Sequence, residues 1–486
     1  MQETITIEKI NEVHIKVNAD PGIKMELSDL FTFEVAGYKF TPAYKSGFWD
    51  GKIRLFNSMT GIVYGGLKTN IINFAKRNNI KCIDETGDKV SSVYDKDFGY
   101  KLAKKFNTKF EPRDYQNEAI VKSLNHGRML NISPTASGKS FIMYLLSRYY
   151  QSIGHKTLII VPTIGLVTQM CSDFRDYSNG ESLDILEIKA GVDKSIVSDY
   201  TVSTWQSITK MPKEWFSQFG VIMGDEAHLF KAKSLSGIME KTTSTKYKFG
   251  FTGSLDDSKV HSLVLQGLFG EQNNVIRTST LIENKTLAQL KVDALILKYS
   301  KDEIKTVGGK AYQDEVNWLI SNEKRNKFIR NLAETREGNT LILFQHIEKH
   351  GKVLYDLIKK DTKKPLYYID GSVSGEDREN IRLEVDQQDG STLLASFGTT
   401  STGINIVNID NIIFALSTKS KIRVLQSIGR GLRKGRSNKI TIYDIVDDLR
   451  KTKKSKPNYS LKHFKERIKM YTNEKFKFKM YDIPIK

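Results

Sequence analysis

At 486 residues the chain is longer than one hydrophobic core normally holds, so two or three domains are expected. Its composition, 39% hydrophobic and 27% charged, is that of a soluble globular protein; no apolar run reaches the roughly 18 residues of a membrane span, the polar start Met1-Gln2-Glu3-Thr4 carries no secretory pattern, and Cys82 and Cys171, far apart and outside any metal-ligand spacing, fit a reducing, cytoplasmic compartment rather than a disulfide framework. The net charge of +19 asks for a polyanionic partner, most simply nucleic acid.

Residues 1–105 read as a small α+β domain. Thr4 to Lys16 alternates apolar and polar positions, with Ile5 and Ile7, then Val13, Ile15 and Val17, which is the period of strands. Met25–Phe31 predicts a short helix, and Phe31–Phe40 a strand, a glycine turn and a second strand. From Tyr44 to Phe56, aromatics interleave with Lys and Arg. Such a stretch suits a surface that stacks on bases while neutralising phosphates, with Lys45, Trp49, Lys52 and Arg54 as candidate contacts. The same aromatics equally suit the core of a small domain.

From residue 106 strands and helices alternate, the pattern of parallel α/β layers. A first unit is expected over 106–285. Gln116, shortly before a buried strand, can read an adenine edge because its amide both donates and accepts. Met129-Leu130-Asn131-Ile132 ends that strand, and Ser133-Pro134-Thr135-Ala136-Ser137-Gly138-Lys139-Ser140 follows, opening a helix at Phe141–Tyr150. A strand, a small-residue loop and Gly-Lys-Ser at a helix start make a phosphate cradle: backbone N–H groups face the anion, Lys139 reaches the β/γ-phosphates, and the Ser140 hydroxyl holds Mg²⁺. Ser133 stands where the pattern usually has Gly.

Two further strands, Thr157–Thr163 and Tyr200–Gln206, are expected to end on the same edge. Val221-Ile222-Met223-Gly224 then delivers Asp225 and Glu226 together. Asp225 can hold Mg²⁺ through water, Glu226 can deprotonate the attacking water, and His228 can couple hydrolysis to motion. Phe249–Ser254 closes the unit with a strand and a hydroxyl-rich turn.

A second α/β unit is expected over 286–450, with strands at Thr340–Phe344, Tyr367–Gly371, Leu393–Phe397 and Asn411–Ala415. It carries Ser401-Thr402-Gly403 and the run Gln426 to Arg433. On a helix, positions three apart share a face, so Arg430 and Arg433 can point together at a γ-phosphate as arginine fingers. From Arg450 to Lys486 there are 13 Lys/Arg against three acidic residues, about half of the chain's positive excess. This segment, 451–486, reads as a basic tail with a helix over Leu461–Tyr471.

Taken in order, Gln116, the Gly138-Lys139-Ser140 loop, Val161-Pro162-Thr163, Asp225-Glu226-Ala227-His228, Thr252-Gly253-Ser254, Ser401-Thr402-Gly403 and Gln426–Arg433 resemble the motifs of the superfamily 2 helicases. The resemblance implies two tandem RecA-like lobes with parallel sheets, preceded here by the small α+β domain, binding ATP and Mg²⁺ between the lobes. Ser427 departs from the many members that carry Arg there. Phe31–Glu34, Gly47–Leu55 and Pro212–Gly220 look more specifically like the UvsW-type helicases of T4-like phages. That similarity implies ATP-driven remodelling of branched, forked and R-loop DNA in recombination, replication and repair, in the host cytoplasm if the chain is phage-encoded. A monomer is expected, with recombination or single-strand-binding proteins as partners. The expected catalytic set is Lys139, Asp225, Glu226, Arg430 and Arg433, with Ser140 and Asp225 on the metal. Arg113, Gln116, residues 134–140, Gly403 and Gln426 are expected on the nucleotide, and His228, Thr252 and Ser254 in coupling. Thr163, Gln169, Trp205 and Thr402 are expected on nucleic acid. An RNA helicase, or the motor subunit of a nuclease, are the alternatives.

Overall fold

The computed structural model describes residues 3–35, 37–88, 93–189, 191–229, 232–253, 259–401, 408–416, 439–452 and 454–485. The chain divides into two compact units, residues 1–133 with 138–276, and residues 134–137 with 277–486.

The first unit opens with six short strands, β1 (Thr4–Lys9), β2 (His14–Asn18), β3 (Thr32–Glu34), β4 (Lys52–Arg54), β5 (Ile62–Tyr64) and β6 (Lys81–Asp84). Alternate residues of β1 and β2, namely Ile5, Ile7, Ile15 and Val17, enter one core with Leu27, Phe31, Phe56, Leu67 and Ile71. The sheet order is β5-β2-β1-β6, while β3 and β4 form a separate ribbon. The helix expected at Met25–Phe31 runs from Pro21 to Leu30. Proline at its first turn has φ preset and surrenders only an N–H that the helix leaves unpaired.

The strand–turn–strand reading of Phe31–Phe40 is corrected. Only Thr32–Glu34 is extended, and its antiparallel partner is Lys52–Arg54. Tyr38–Phe40 curl into a 3-10 turn instead. There the Tyr38 N–H bonds the Val35 carbonyl and the Phe40 N–H the Gly37 carbonyl, each at 3.0 Å, which uses locally the groups a second strand would need.

Seven strands follow, β7 (Arg128–Ile132), β8 (Thr157–Val161), β9 (Ile185–Ile188), β10 (Tyr200–Thr204), β11 (Val221–Gly224), β12 (Tyr247–Thr252) and β13 (Gln272–Asn274). They form one parallel sheet in the order β13-β7-β12-β11-β8-β10-β9. Ile159 and Val161 enter one core and Leu158 and Ile160 another, so both faces are covered, and β8 reads as an unbroken apolar run. Ile132 lies in register with Thr252, and Gly224 with both Ile160 and Gly250. The segments leaving β7, β8, β11 and β12 therefore emerge side by side at one edge.

The front domain is seated on this sheet. Arg128 donates to the Glu12 carbonyl at 2.8 Å, the Glu12 N–H to the Thr243 carbonyl at 3.0 Å, and the Tyr64 hydroxyl to Glu240 at 2.8 Å. Phe33, Leu55 and Tyr64 pack against one of the sheet's two cores.

The second unit holds β14 (Gln289–Lys298), β15 (Thr340–Phe344), β16 (Leu366–Ile369), β17 (Thr392–Ser396), β18 (Asn411–Phe414), β19 (Lys439–Asp448) and β20 (Lys477–Pro484). Their order is β16-β17-β15-β18-β19-β14-β20, again parallel throughout. Residues after 450 are built into this unit. The helix Tyr459–Asn473 is pinned to β19 by a two-pronged ion pair, Arg467 to Asp444 at 2.8 Å for both bonds, and by Tyr471 to the same carboxylate at 2.9 Å. Glu315 accepts from the N–H groups of Tyr459 and Ser460 at the helix start. β20 then lies alongside β14.

Candidate functional site

The phosphate loop leaves β7 beside β12, where the Ser133 N–H donates to the Thr252 carbonyl at 2.8 Å. Ser133 is fully buried, which a hydroxyl side chain tolerates in place of the usual glycine. Within the loop the Ser137 hydroxyl bonds the Pro134 carbonyl at 2.7 Å, and Ala136 holds a left-handed φ of 65°. Gly138 caps the helix Lys139–Ser152 at φ 80°. A Cβ there would meet the Gln116 amide nitrogen at 2.3 Å, so only glycine fits.

Gln116 itself is buried. Its amide oxygen accepts from the Arg113 N–H at 2.8 Å, closing the start of the helix Asp114–His126, and its nitrogen donates to the Gly138 carbonyl at 3.4 Å. The residue expected to read a base thus also braces the loop. The Arg113 guanidinium bonds the Tyr115 hydroxyl.

Asp225 and Glu226 follow β11 as expected. The Lys139 ammonium lies 3.0 Å from Glu226 Oε1 and 3.4 Å from the Ser133 carbonyl, with both side chains largely buried. Glu226 adopts φ 47°, a left-handed conformation that strains a non-glycine residue by about 1–3 kcal/mol. Its Oε2 lies 3.4 Å from His228 Nδ1, and that nitrogen is 2.5 Å from the Thr252 hydroxyl. Close polar contacts therefore run Lys139–Glu226–His228–Thr252 across the ends of three strands, with Glu226 Oε2 near His228 Nδ1 but not hydrogen-bonded to it.

Burial first, and the neighbouring Glu226 charge second, push the Asp225 carboxyl up to about 7, with Lys139 opposing them. Its Oδ1 is buried and has no hydrogen-bond partner among the described residues. An unused carboxylate oxygen beside a phosphate loop is what a hard cation takes. Magnesium is usually bound by one or two carboxylates plus substrate oxygens and water, and among the described residues no cage of three or more His, Cys, Asp or Glu exists.

The Ser140 hydroxyl shares a hydrogen bond of 2.8 Å with the hydroxyl of Tyr177, a partner that no motif singles out. Thr163 caps the helix Ile164–Tyr177 through the Leu166 N–H, Gln169 is exposed on that helix and donates to Asp173, and Trp205 is half-buried just past β10. In the front domain Lys45 and Lys52 are exposed and Arg54 is ion-paired with Asp50. The Trp49 indole N–H is held by the Lys52 carbonyl at 2.8 Å, outside the domain core. Ser254, Thr402, Gly403, Gln426, Arg430 and Arg433 lie outside the described residues.

A phosphate loop and an acidic strand end on one parallel sheet, with a second parallel seven-stranded sheet behind them in sequence, are the parts of a two-lobed helicase, and the comparisons with known proteins place the chain in superfamily 2. Residues 109–257 match the family model of the type III restriction enzyme res subunit, and residues 323–435 that of the helicase conserved C-terminal domain. Residues 5–84 match the N-terminal model of the DNA helicase UvsW. The ATP-dependent DNA helicase uvsW of Enterobacteria phage T4 is 38% identical over 490 residues, covering 96% of this chain and 97% of that protein. The crystal structure of T4 UvsW aligns over 99% of this chain and all of that one, with a TM-score of 0.52 and 34% identity. Dbp5 of S. cerevisiae bound to RNA and ADP BeF3, 14% identical, shares the fold over 81% of this chain and 94% of its own, with a TM-score of 0.54. The chain belongs to the UvsW family of helicases. Among the described residues no helix is long and apolar enough to cross a membrane.

Proposed function

We propose that the chain is an ATP-dependent DNA helicase that remodels branched DNA by branch migration, fork regression and R-loop unwinding, in recombination-dependent replication and repair. The observation that carries the motor reading is the Lys139–Glu226–His228–Thr252 chain at the sheet edge. Lys139 is held on Glu226, the side chain expected to act as base. When the lysine turns to a γ-phosphate, the Glu226 carboxylate is released to take the proton of the attacking water. His228 Nδ1 faces both the Glu226 carboxylate and the Thr252 hydroxyl, so a change at Glu226 alters what Thr252 is bonded to and is passed to β12 and the segment that follows it. Ser140 and Asp225 would hold Mg²⁺, whose charge neutralises the phosphates and keeps Asp225 ionised. Arg430 and Arg433 keep the finger role that the resemblance gives them.

The choice of DNA structure is assigned to the front domain. Motor lobes grip a backbone largely without reading sequence, and the exposed Lys45 and Lys52 of the front domain supply phosphate contacts outside them. The identity with a DNA helicase over nearly the full length supports DNA over RNA. One experiment decides: ATPase rates of the full chain with single-stranded, duplex, forked, four-way and RNA–DNA substrates side by side. The reading requires the forked and four-way substrates to stimulate most; equal stimulation by plain duplex, or preference for RNA alone, would overturn it.

A further inference from the structure

Two phenylalanines on one short loop are held almost wholly in water. Phe48 is 91% exposed and Phe40 81%, the two most exposed phenylalanines among the described residues. Both lie in the segment 37–51 that joins β3 to β4. The other aromatics of this segment are tied down. The Tyr38 and Tyr44 rings meet edge to face at 4.8 Å, and the Trp49 indole is fixed on Lys52. Gly51 lies so close to Tyr38 that a Cβ would fall 2.0 Å from its Cδ2.

The backbone is equally committed. The Thr41 hydroxyl accepts from the Tyr44 N–H, the Gly47 N–H bonds the Tyr44 carbonyl, and the Trp49 N–H bonds the Ala43 carbonyl at 3.1 Å. The loop is therefore a braced platform that presents two apolar rings rather than a slack connection that happens to expose them. Lys39 and Lys45 are exposed on the same segment, and Lys52 at the start of β4.

We propose that Phe40 and Phe48 stack on base faces left open at a DNA branch point, so that this loop tells a junction from continuous duplex; the proposal rests on the front domain being the reader of DNA structure. In unbroken duplex every base has both faces covered by its neighbours. A fork, a four-way crossing or a displaced strand leaves a face open, and an aromatic ring gains from stacking only there. The lysines favour the polyanion and hold the backbone near the rings, whereas a hydrophobic protein partner would have no use for them.

The test uses the full chain with Phe40→Ala and Phe48→Ala together. Neither ring is buried, so circular dichroism and the thermal midpoint should match wild type. Affinity is measured for an immobile four-way junction and for a relaxed circular duplex, which has no ends. The junction-over-circle preference should fall about tenfold or more, in line with stacking by one or two rings. A 2-aminopurine at the branch point, quenched by wild type, should regain its fluorescence, and Phe48→Trp should retain the quenching. A folded alanine variant with unchanged preference and quenching overturns the proposal, as does an equal loss on both DNAs or a defect seen only when a partner protein is present. A companion variant, Lys45→Gln with Lys52→Gln and Arg54→Gln, separates the two readings. If it leaves every affinity unchanged, the front domain is not the reader and both readings fall. If it weakens all DNA binding while the alanine pair keeps its preference, only the stacking falls.

Discussion

The proposed nucleotide site and the front loop are built on opposite plans. At the sheet edge, Lys139, Asp225, Glu226, His228 and Thr252 are largely buried, and the polar chain joins four of them. On the loop between β3 and β4, rings and ammonium groups face solvent while only the supporting residues are bonded. Chemistry needs groups fixed before the substrate arrives, because reorganisation during reaction is what slows it. Selection of a DNA shape needs surface that water covers until the right shape displaces it. The difference implies that changes at the edge act on turnover, and changes on the loop act on binding.

The largest break should come from Glu226→Gln. An amide cannot take the water's proton, so DNA-stimulated turnover should fall by about 10²–10⁴-fold while a fluorescent ATP analogue still binds. Near-normal steady-state hydrolysis in the purified variant would remove Glu226 from the role of base. Lys139→Ala should abolish hydrolysis as well, and is expected to weaken nucleotide binding besides.

Next in size is the Lys45, Lys52 and Arg54 triple change to Gln, read by the slope of log affinity against log salt. Each phosphate that loses its cation lowers that slope by about 1. Arg54 already shares its charge with Asp50, so a drop nearer two than three is expected. An unchanged slope would place these cations away from DNA. Deleting the front domain is the poorer experiment, because Phe33, Leu55 and Tyr64 cover part of the first sheet's core and their loss would expose it.

A finer test addresses the link leading out of the buried site. His228→Ala or Thr252→Val breaks the 2.5 Å contact while leaving Lys139 and Glu226 in place. ATP consumed per base pair unwound should rise several-fold while hydrolysis itself is kept. An unchanged ratio with reduced hydrolysis would make the contact part of the active site rather than of the transmission.

The smallest effect lies away from both regions. Burial alone would raise the Asp448 carboxyl, but Arg450 and Lys298 donate to it and hold it at about 2. The folded value lies below the unfolded value of about 4. The stabilisation is therefore present above about pH 4 and lost as pH falls towards 2. Asp448→Asn should lower the thermal midpoint by a few degrees at neutral pH, with the gap closing in acid. A constant gap down to pH 3 in calorimetry would show that the charge is not the cause.

Much of this was readable from residue order. Strand β15 has the expected bounds, Thr340–Phe344, because a two-sided parallel strand must be apolar at every position. Asp225 and Glu226 were legible because a short apolar run ending in two carboxylates has few uses. The failures share one cause, a partner distant in sequence. Arg467 is one of the 13 cations counted in the basic tail, yet it is 2% exposed against Asp444, which sits 23 residues earlier on a strand. Tyr38–Phe40 looked extended because the true neighbour of β3 lies beyond the loop. Tyr177 carries no motif, and only the fold brings its hydroxyl to Ser140. Counting charges or periods along the chain cannot supply such pairings.

The place of β14 in the second sheet bears on synthesis. Its neighbours are β19 and β20, so Lys298 finds Asp448 only 150 residues later in the chain, and β20 ends at Pro484. As the polypeptide leaves the ribosome, the first seven-stranded sheet has all its strands by Asn274 and can close early. β14 emerges soon after and then waits with both edges bare until β19 is made, and with one edge bare until β20 follows. Ribosome stalling or a premature stop before β19 would leave a finished first sheet and an apolar strand with neither of its neighbours made, the kind of exposed edge that chaperones hold and aggregates recruit.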